Sequence, residues 1–427
     1  MRGVYLVATG CLLAAVVHAG WNPGEPVVTY GQGPGGPANG PGGARIALSD
    51  TWLVQLKEGG FNTVWANTPE ELDLVAKYGL RAIYFLDPDT MKCRNNVDDP
   101  TSAAQLGERI DRVKNHPALY AYALYDEPPA GDFARLAHMK EWVKRRDPNH
   151  ASWLNLLPCY ARQKQLGVEE NDKIRAYWEH VRLFGEIFRP EFLSYDHYQF
   201  KTNGDAPHYF LNLGIIRQSA SAQKIPFWNG LQACTWVPGE AASPTSPRIP
   251  GPDELRYLVY SSAAYGAQGI YYYVYCAYGH RGAIVSVDGK PDAKYEALKT
   301  INRAFVAIAS VLSPLDFKGA YFQGRHAPGT TPYCEQALLK ITPETPCSEL
   351  ETLKELTDTT LVTRFDTPGK PTHLMVVNCD YRKDRLLHVE APSNAEKFDP
   401  LSGTWSPVDR AFDLSLVRGG GVLLRLQ

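Results

Sequence analysis

The chain has 427 residues, with 44 basic and 46 acidic side chains and a formal net charge of −2. That balance gives no electrostatic basis for a nucleic-acid partner or an anionic membrane. The length exceeds one ordinary domain and suits a barrel followed by a smaller module.

Residues 1–19 form a short charged start and an apolar stretch shorter than the roughly 20 residues needed to span a bilayer. The stretch ends on Val17-His18-Ala19, a small-x-small pattern, so an export signal cleaved after Ala19 is expected, with a secreted or periplasmic protein beyond it. Leaving out Cys11, seven cysteines remain. Cys334 and Cys347 sit close enough in a Pro- and Thr-rich loop to pair in an oxidising compartment. No CxxC spacing calls for zinc, and no metal or cofactor is expected.

Val27 to Tyr30 reads as a first strand, and the Gly/Pro-dense stretch from Gly31 to Gly43 as a loop. From there helix and strand patterns alternate. Ser49-Asp50 opens a helix, and Phe61 to Trp65 is a strand. Thr68-Pro69-Glu70-Glu71 is a helix start with an N-cap, a proline at the first position and acidic residues in the first turn. Further strands are expected at Leu80 to Leu86, Ala118 to Leu124, Ala151 to Leu156, Phe192 to Tyr195, Pro226 to Leu231 and Ile270 to Val274. Helices lie between them, and a last one runs from Asp292 to Val311. Eight such units predict an α/β fold, a (β/α)8 TIM barrel over residues 20–314. No Gly-rich dinucleotide fingerprint follows the first strand, which counts against a Rossmann fold. After about Leu315 the pattern changes to short strands separated by turns such as Thr367-Pro368-Gly369. A small all-β sandwich over residues 315–427 is expected.

The run Ala118 to Pro129 organises the functional reading. An apolar strand stops at Asp126-Glu127, followed by two prolines that cannot continue a ladder. Barrel enzymes place their chemistry at the C-terminal ends of strands, so strand-end acids are the candidates: Asp87, Asp126, Glu127 and Asp196, with Glu240 in the loop after strand seven. Two carboxyl groups flanking one bond are what glycoside hydrolysis requires. Glu127 is expected to be the acid and Asp196 its partner. Asn155, His197, Tyr198, Trp228, Gln232 and Trp236 are expected to contact substrate. Tyr271-Tyr272-Tyr273 reads as strand packing with alternate rings facing inward. Burial among Tyr122 and Tyr125 is expected to raise the Glu127 pKa.

Tyr125-Asp126-Glu127-Pro128 resembles the Asn-Glu-Pro ending of strand four in clan A glycoside hydrolases, such as families 5 and 42. The resemblance implies that Glu127 is the acid/base and that Asp126 binds a sugar hydroxyl. In that clan a Glu at the end of strand seven is the nucleophile, and here the position carries Gln232. Two alternatives follow. The barrel is a non-catalytic glycan binder, or the substrate supplies the nucleophile as in acetamido-assisted hexosaminidases, which also carry an adjacent Asp-Glu pair. Leu193-Ser194-Tyr195-Asp196 is similar to the Met-x-Tyr-Asp of chitinase strand six, which would make Asp126 or Asp196 the group that orients an N-acetyl substituent.

Overall fold

A computed structural model describes residues 21–37, 41–343, 347–349 and 356–427. The expected export signal lies outside the described residues.

Eight parallel strands alternate with eight helices: β1 (Val27–Tyr30), α1 (Asp50–Glu58), β2 (Thr63–Ala66), α2 (Pro69–Lys77), β3 (Arg81–Phe85), α3 (Pro100–Asp111), β4 (Leu119–Asp126) and α4 (Phe133–Arg146). The second half is β5 (Ala151–Asn155), α5 (Lys173–Leu183), β6 (Leu193–His197), α6 (Tyr209–Gln223), β7 (Phe227–Gln232), α7 (Pro252–Ala264), β8 (Gly269–Tyr273) and α8 (Ala293–Leu312). The caps read from the sequence set the helix starts. Ser49 accepts from the Trp52 N–H, and Thr68 accepts from the Glu71 N–H ahead of Pro69, each satisfying a donor the first turn leaves free.

The strands pair as two four-stranded halves, β2-β3-β4-β5 and β1-β8-β7-β6. One seam is closed by the Leu156–Tyr195 bridge, with Leu156 N donating to Ser194 O at 2.8 Å. At the other, Asn62 N donates to Val28 O at 3.2 Å and Val28 N to the Asn62 side chain at 2.9 Å. The result is a closed TIM barrel.

Its interior is packed with aromatic rings, which fit because small residues face them. Gly269 makes room for Trp228, since a Cβ there would lie 2.3 Å from the indole. A Cβ on Gly230 would lie 2.3 Å from the Tyr271 hydroxyl and 2.7 Å from the Asp196 Cβ. Glycine at 230 is therefore what allows two site residues to approach strand β7.

Beyond α8 the chain forms β9 (Phe317–Gln323), β10 (Lys340–Thr342), β11 (Thr360–Phe365), β12 (His373–Asn378), β13 (Arg385–Glu390), β14 (Ala395–Asp399), β15 (Thr404–Val408), β16 (Ala411–Leu416) and β17 (Gly421–Leu426). The larger sheet runs β9-β11-β12-β17-β14-β15, and β10-β13-β16 forms a second. Val362, Leu374 and Val376 from the first pack with Leu387, Val389 and Leu414 from the second, the arrangement of a two-layer β region. Met375 and Val377 point the other way and join the core shared with the barrel. The cysteines from Cys93 onward are all free thiols, so Cys334 and Cys347 do not pair here. Among the described residues no helix is long and apolar enough to cross a membrane.

Candidate active site

Strand β4 delivers its acids through a β-bulge. Opposite β5, Ala123 pairs with Trp153 but Asp126 pairs with Asn155, so β4 spends three residues where β5 spends two. The extra residue reverses the in–out alternation, which turns Asp126 toward the barrel axis in register with Asn155. Glu127 follows in the left-handed region at φ 52, with its N–H donating to Asn155 O at 2.9 Å. A non-glycine residue held there stores backbone strain of the kind that clusters at functional sites.

The strand ends enclose a cleft of about 240 Å³ containing Asp126, Glu127 and Asp196. Trp153 and Asn155 contribute from β5, Tyr271 and Tyr273 from β8. Tyr198 and Trp236 come from the loops after β6 and β7, and Gln32 and Met91 from those after β1 and β3. Asn155 ties the acids together. Its Nδ2 donates to Asp126 Oδ1 at 3.4 Å and to Asp196 Oδ2 at 3.3 Å, while its Oδ1 accepts from Tyr271 at 2.8 Å and Ser194 at 3.1 Å. With all its hydrogen-bonding groups engaged, Asn155 positions the carboxyls rather than presenting itself to a ligand. Tyr198 donates to Asp196 Oδ2 at 2.8 Å, and the buried Asp196 Oδ1 has no hydrogen-bond partner among the described residues.

Electrostatically the three carboxyls form one unit. Burial, together with the neighbouring Asp126 charge, raises Glu127 to about 7 against the pull of Lys92. Asp126 is raised by burial, with Lys92 and Asn155 opposing. Asp196 is raised well above the usual carboxylate range, first by burial and then by Glu127 and Asp126. Carboxyls this close cannot all ionise at neutral pH, and burial removes the water that would screen them. Among the described residues no cluster of His, Cys, Asp and Glu is arranged to hold a metal ion.

The structure places several expected site residues elsewhere. His197 alternates with Asp196 along β6 and therefore faces α6, where its Nδ1 lies 3.0 Å from Asn212 Oδ1. Burial lowers its pKa to about 3, so it is neutral. Trp228 sits in the barrel floor, stacked on Phe192 at 4.3 Å. Gln232 is fully buried. Its Oε1 accepts from Phe200 N at 2.8 Å, and its Nε2 donates to Phe200 O at 3.0 Å and Arg248 O at 2.8 Å. That amide clamps the loop after β6 and has no free group for substrate. A Glu there would face two carbonyl oxygens, which accounts for Gln at this position.

Asp87 is held by Arg94, 2.7 Å and 3.0 Å from its two oxygens, outside the cleft lining. The Tyr122 hydroxyl donates to Asp147 at 2.6 Å, so Tyr122 does not bear on Glu127. Glu240 falls on the turn Gly239–Ala241, and its side chain lies outside the described residues. Trp153 and Gln32 were not anticipated. Trp153 was legible in principle, because it shares the inward register of Asn155 two residues later.

No protein-family model matches the chain, and no curated protein matches it. Solved structures do. A glycoside hydrolase family 5 protein from Bacteroides vulgatus superposes with a TM-score of 0.51 at 13% identity, covering 88% of this chain and 85% of that one. Another structure, a glycoside hydrolase, gives a TM-score of 0.50 at 15% identity, covering 88% of each chain. At this identity the likeness speaks to the fold alone: over 88% of its length the chain folds like these two proteins.

Proposed function

We propose that the protein is an exported glycoside hydrolase acting on a carbohydrate by carboxylate acid/base chemistry. The observation that carries this reading is Glu127, an acid with no ion pair among the described residues, at the end of β4 in a cleft with two other carboxyls and raised to about 7. The barrel it shares with solved glycoside hydrolases supports the same reading.

Glu127 and Asp196 divide the work. The Tyr198 hydroxyl and the Asn155 amide both point at Asp196 Oδ2, whereas among the described residues no hydrogen bond reaches the Glu127 carboxyl. Burial and the neighbouring acids raise both carboxyls, so the cluster carries protons at neutral pH, and Glu127, near 7, is the member that can give one up. Glu127 protonates the glycosidic oxygen, and Asp196 acts opposite it as nucleophile or as base toward water. Asp126, tethered through Asn155, keeps the Glu127 pKa high. The test is hydrolysis across a glycan panel. Glu127→Gln and Asp196→Asn are each expected to abolish turnover while the protein stays folded. Full turnover in either variant would remove that residue's role.

A further inference from the structure

Strand β8 brings Tyr271 and Tyr273 to the cleft, and the loop after it returns to the second ring. Arg281 pins that loop by exchanging backbone hydrogen bonds with Thr235, at 2.8 Å and 3.0 Å, one residue before Trp236. Beside Arg281, His280 stands edge-on to Tyr273 with ring centroids 5.3 Å apart. Its Nδ1 lies 3.0 Å from Tyr278 O, and its Nε2 3.0 Å from the Tyr273 hydroxyl. A carbonyl oxygen can only accept. The hydrogen of the neutral imidazole therefore sits on Nδ1 and leaves a lone pair on Nε2. Burial lowers the His280 pKa and keeps the ring in that neutral form. The Tyr273 hydroxyl is the donor of the pair. Tyr271 likewise gives its hydrogen to Asn155 Oδ1 and Tyr198 to Asp196 Oδ2, each at 2.8 Å, and Tyr198 stacks on Tyr273 at 5.2 Å. Three hydroxyls around one cleft have thus spent their hydrogens on protein partners, and their lone pairs remain for a ligand.

We propose that His280 is a positioning residue: it fixes the Tyr273 hydroxyl as an acceptor, and the β8 side of the cleft thereby selects a sugar hydroxyl that donates. This rests on the glycoside hydrolase reading. A hydroxyl already donating to a nitrogen is polarised and accepts a second hydrogen bond more strongly. It is also held in one orientation before substrate arrives, so no rotor has to be ordered on binding. His280 does this without touching substrate, since both its ring nitrogens are engaged. A group that accepts but cannot donate, such as fluorine in place of the hydroxyl, meets an oxygen lone pair there and is rejected.

The test uses 4-nitrophenyl mono- and disaccharides of glucose, galactose, mannose and xylose. The best of them is then made with fluorine replacing one hydroxyl at a time on the sugar that bears the aryl group. The expected result is that at one carbon the fluorine penalty in kcat/KM shrinks at least about fivefold in both Tyr273→Phe and His280→Phe. A penalty that shrinks in Tyr273→Phe alone would overturn the role of His280. One that is unchanged at every carbon would overturn the whole inference and leave the hydrolase reading intact. On the unmodified substrate, His280→Phe is expected to raise KM about fivefold with kcat changed by less than about twofold. His280→Gln, whose Oε1 can accept from Tyr273, is expected to restore KM to within about twofold of the wild-type value. The double variant His280→Phe/Tyr273→Phe is expected to match Tyr273→Phe, and losses that multiply would overturn the proposal, since His280 would then act elsewhere. No turnover of any of these glycosides by the wild-type protein would overturn this inference and the hydrolase reading together.

Discussion

Asp87 and Glu127 end adjacent strands of one barrel, and their surroundings send them to opposite fates. Asp87 is buried, which by itself would raise its pKa. Arg94 and the backbone N–H groups of Asp89 and Arg94 outweigh that and hold it below the usual carboxylate range. Among the described residues Glu127 has no such donors, and burial beside Asp126 carries it to about 7. A satisfied carboxylate locks the loop after β3, whereas an unsatisfied one is an acid that can give its proton away at neutral pH. Position in the fold nominates a candidate, and the partners decide what it does.

The widest break in the comparison is kinetic. If Glu127 must be protonated, kcat/KM falls about tenfold per pH unit above about pH 7, and a rate profile that stays flat to pH 9 would put Glu127 in the same class as Asp87. Next comes Gln232→Glu, which places a carboxylate against the Phe200 and Arg248 carbonyls. The expected cost is roughly 2–3 kcal/mol of stability in denaturant melts with no gain in activity. A gain would restore strand seven as the source of the nucleophile.

Stability as a function of pH separates the two acids by sign. Glu127 has a raised pKa in the fold, so the folded state binds the extra proton, and stability declines as pH climbs from the unfolded value through about 7. Removing the acid in Glu127→Gln is therefore expected to stabilise the protein at pH 8 by roughly 2 kcal/mol, allowing for partial exposure, and to be neutral near pH 4. Asp87 runs the other way. Its depressed pKa contributes stability that is present above the unfolded value and lost as pH falls through the folded one. Arg94→Ala is expected to lower the melting temperature slightly at pH 7, Arg94 being exposed, and to leave it unchanged once Asp87 is protonated. Thermal melts of both variants across pH check the pair.

The barrel was legible in the sequence because its signals are local. Ser49, Thr68 and Pro69 start helices where they should, and the strand ends fall within a few residues of their expected places. The place of Glu127 at the cleft was legible because it directly follows a buried apolar strand. The bulge in β4 was not, since no glycine or proline marks it, and it is what turns Asp126 inward. Gln232 was misread because its partners are backbone groups of two loops, at Phe200 and Arg248, that no local pattern links to it. His197 was readable: strand alternation sends it outward once Asp196 points in. In the C-terminal region the sequence pattern did not mark β9, β10, β14 or β15. Pro407 sits within β15, which is tolerable because β15 is an edge strand, and such short strands carry weak alternation.

The most direct test of Glu127 as the proton donor compares leaving groups in Glu127→Ala. With the preferred sugar linked to phenol, departure needs protonation, and with 2,4-dinitrophenol it does not. The variant is expected to lose at least about a hundredfold in kcat/KM on the phenyl glycoside and less than about tenfold on the dinitrophenyl one. Equal losses on both, or none on either, would contradict it.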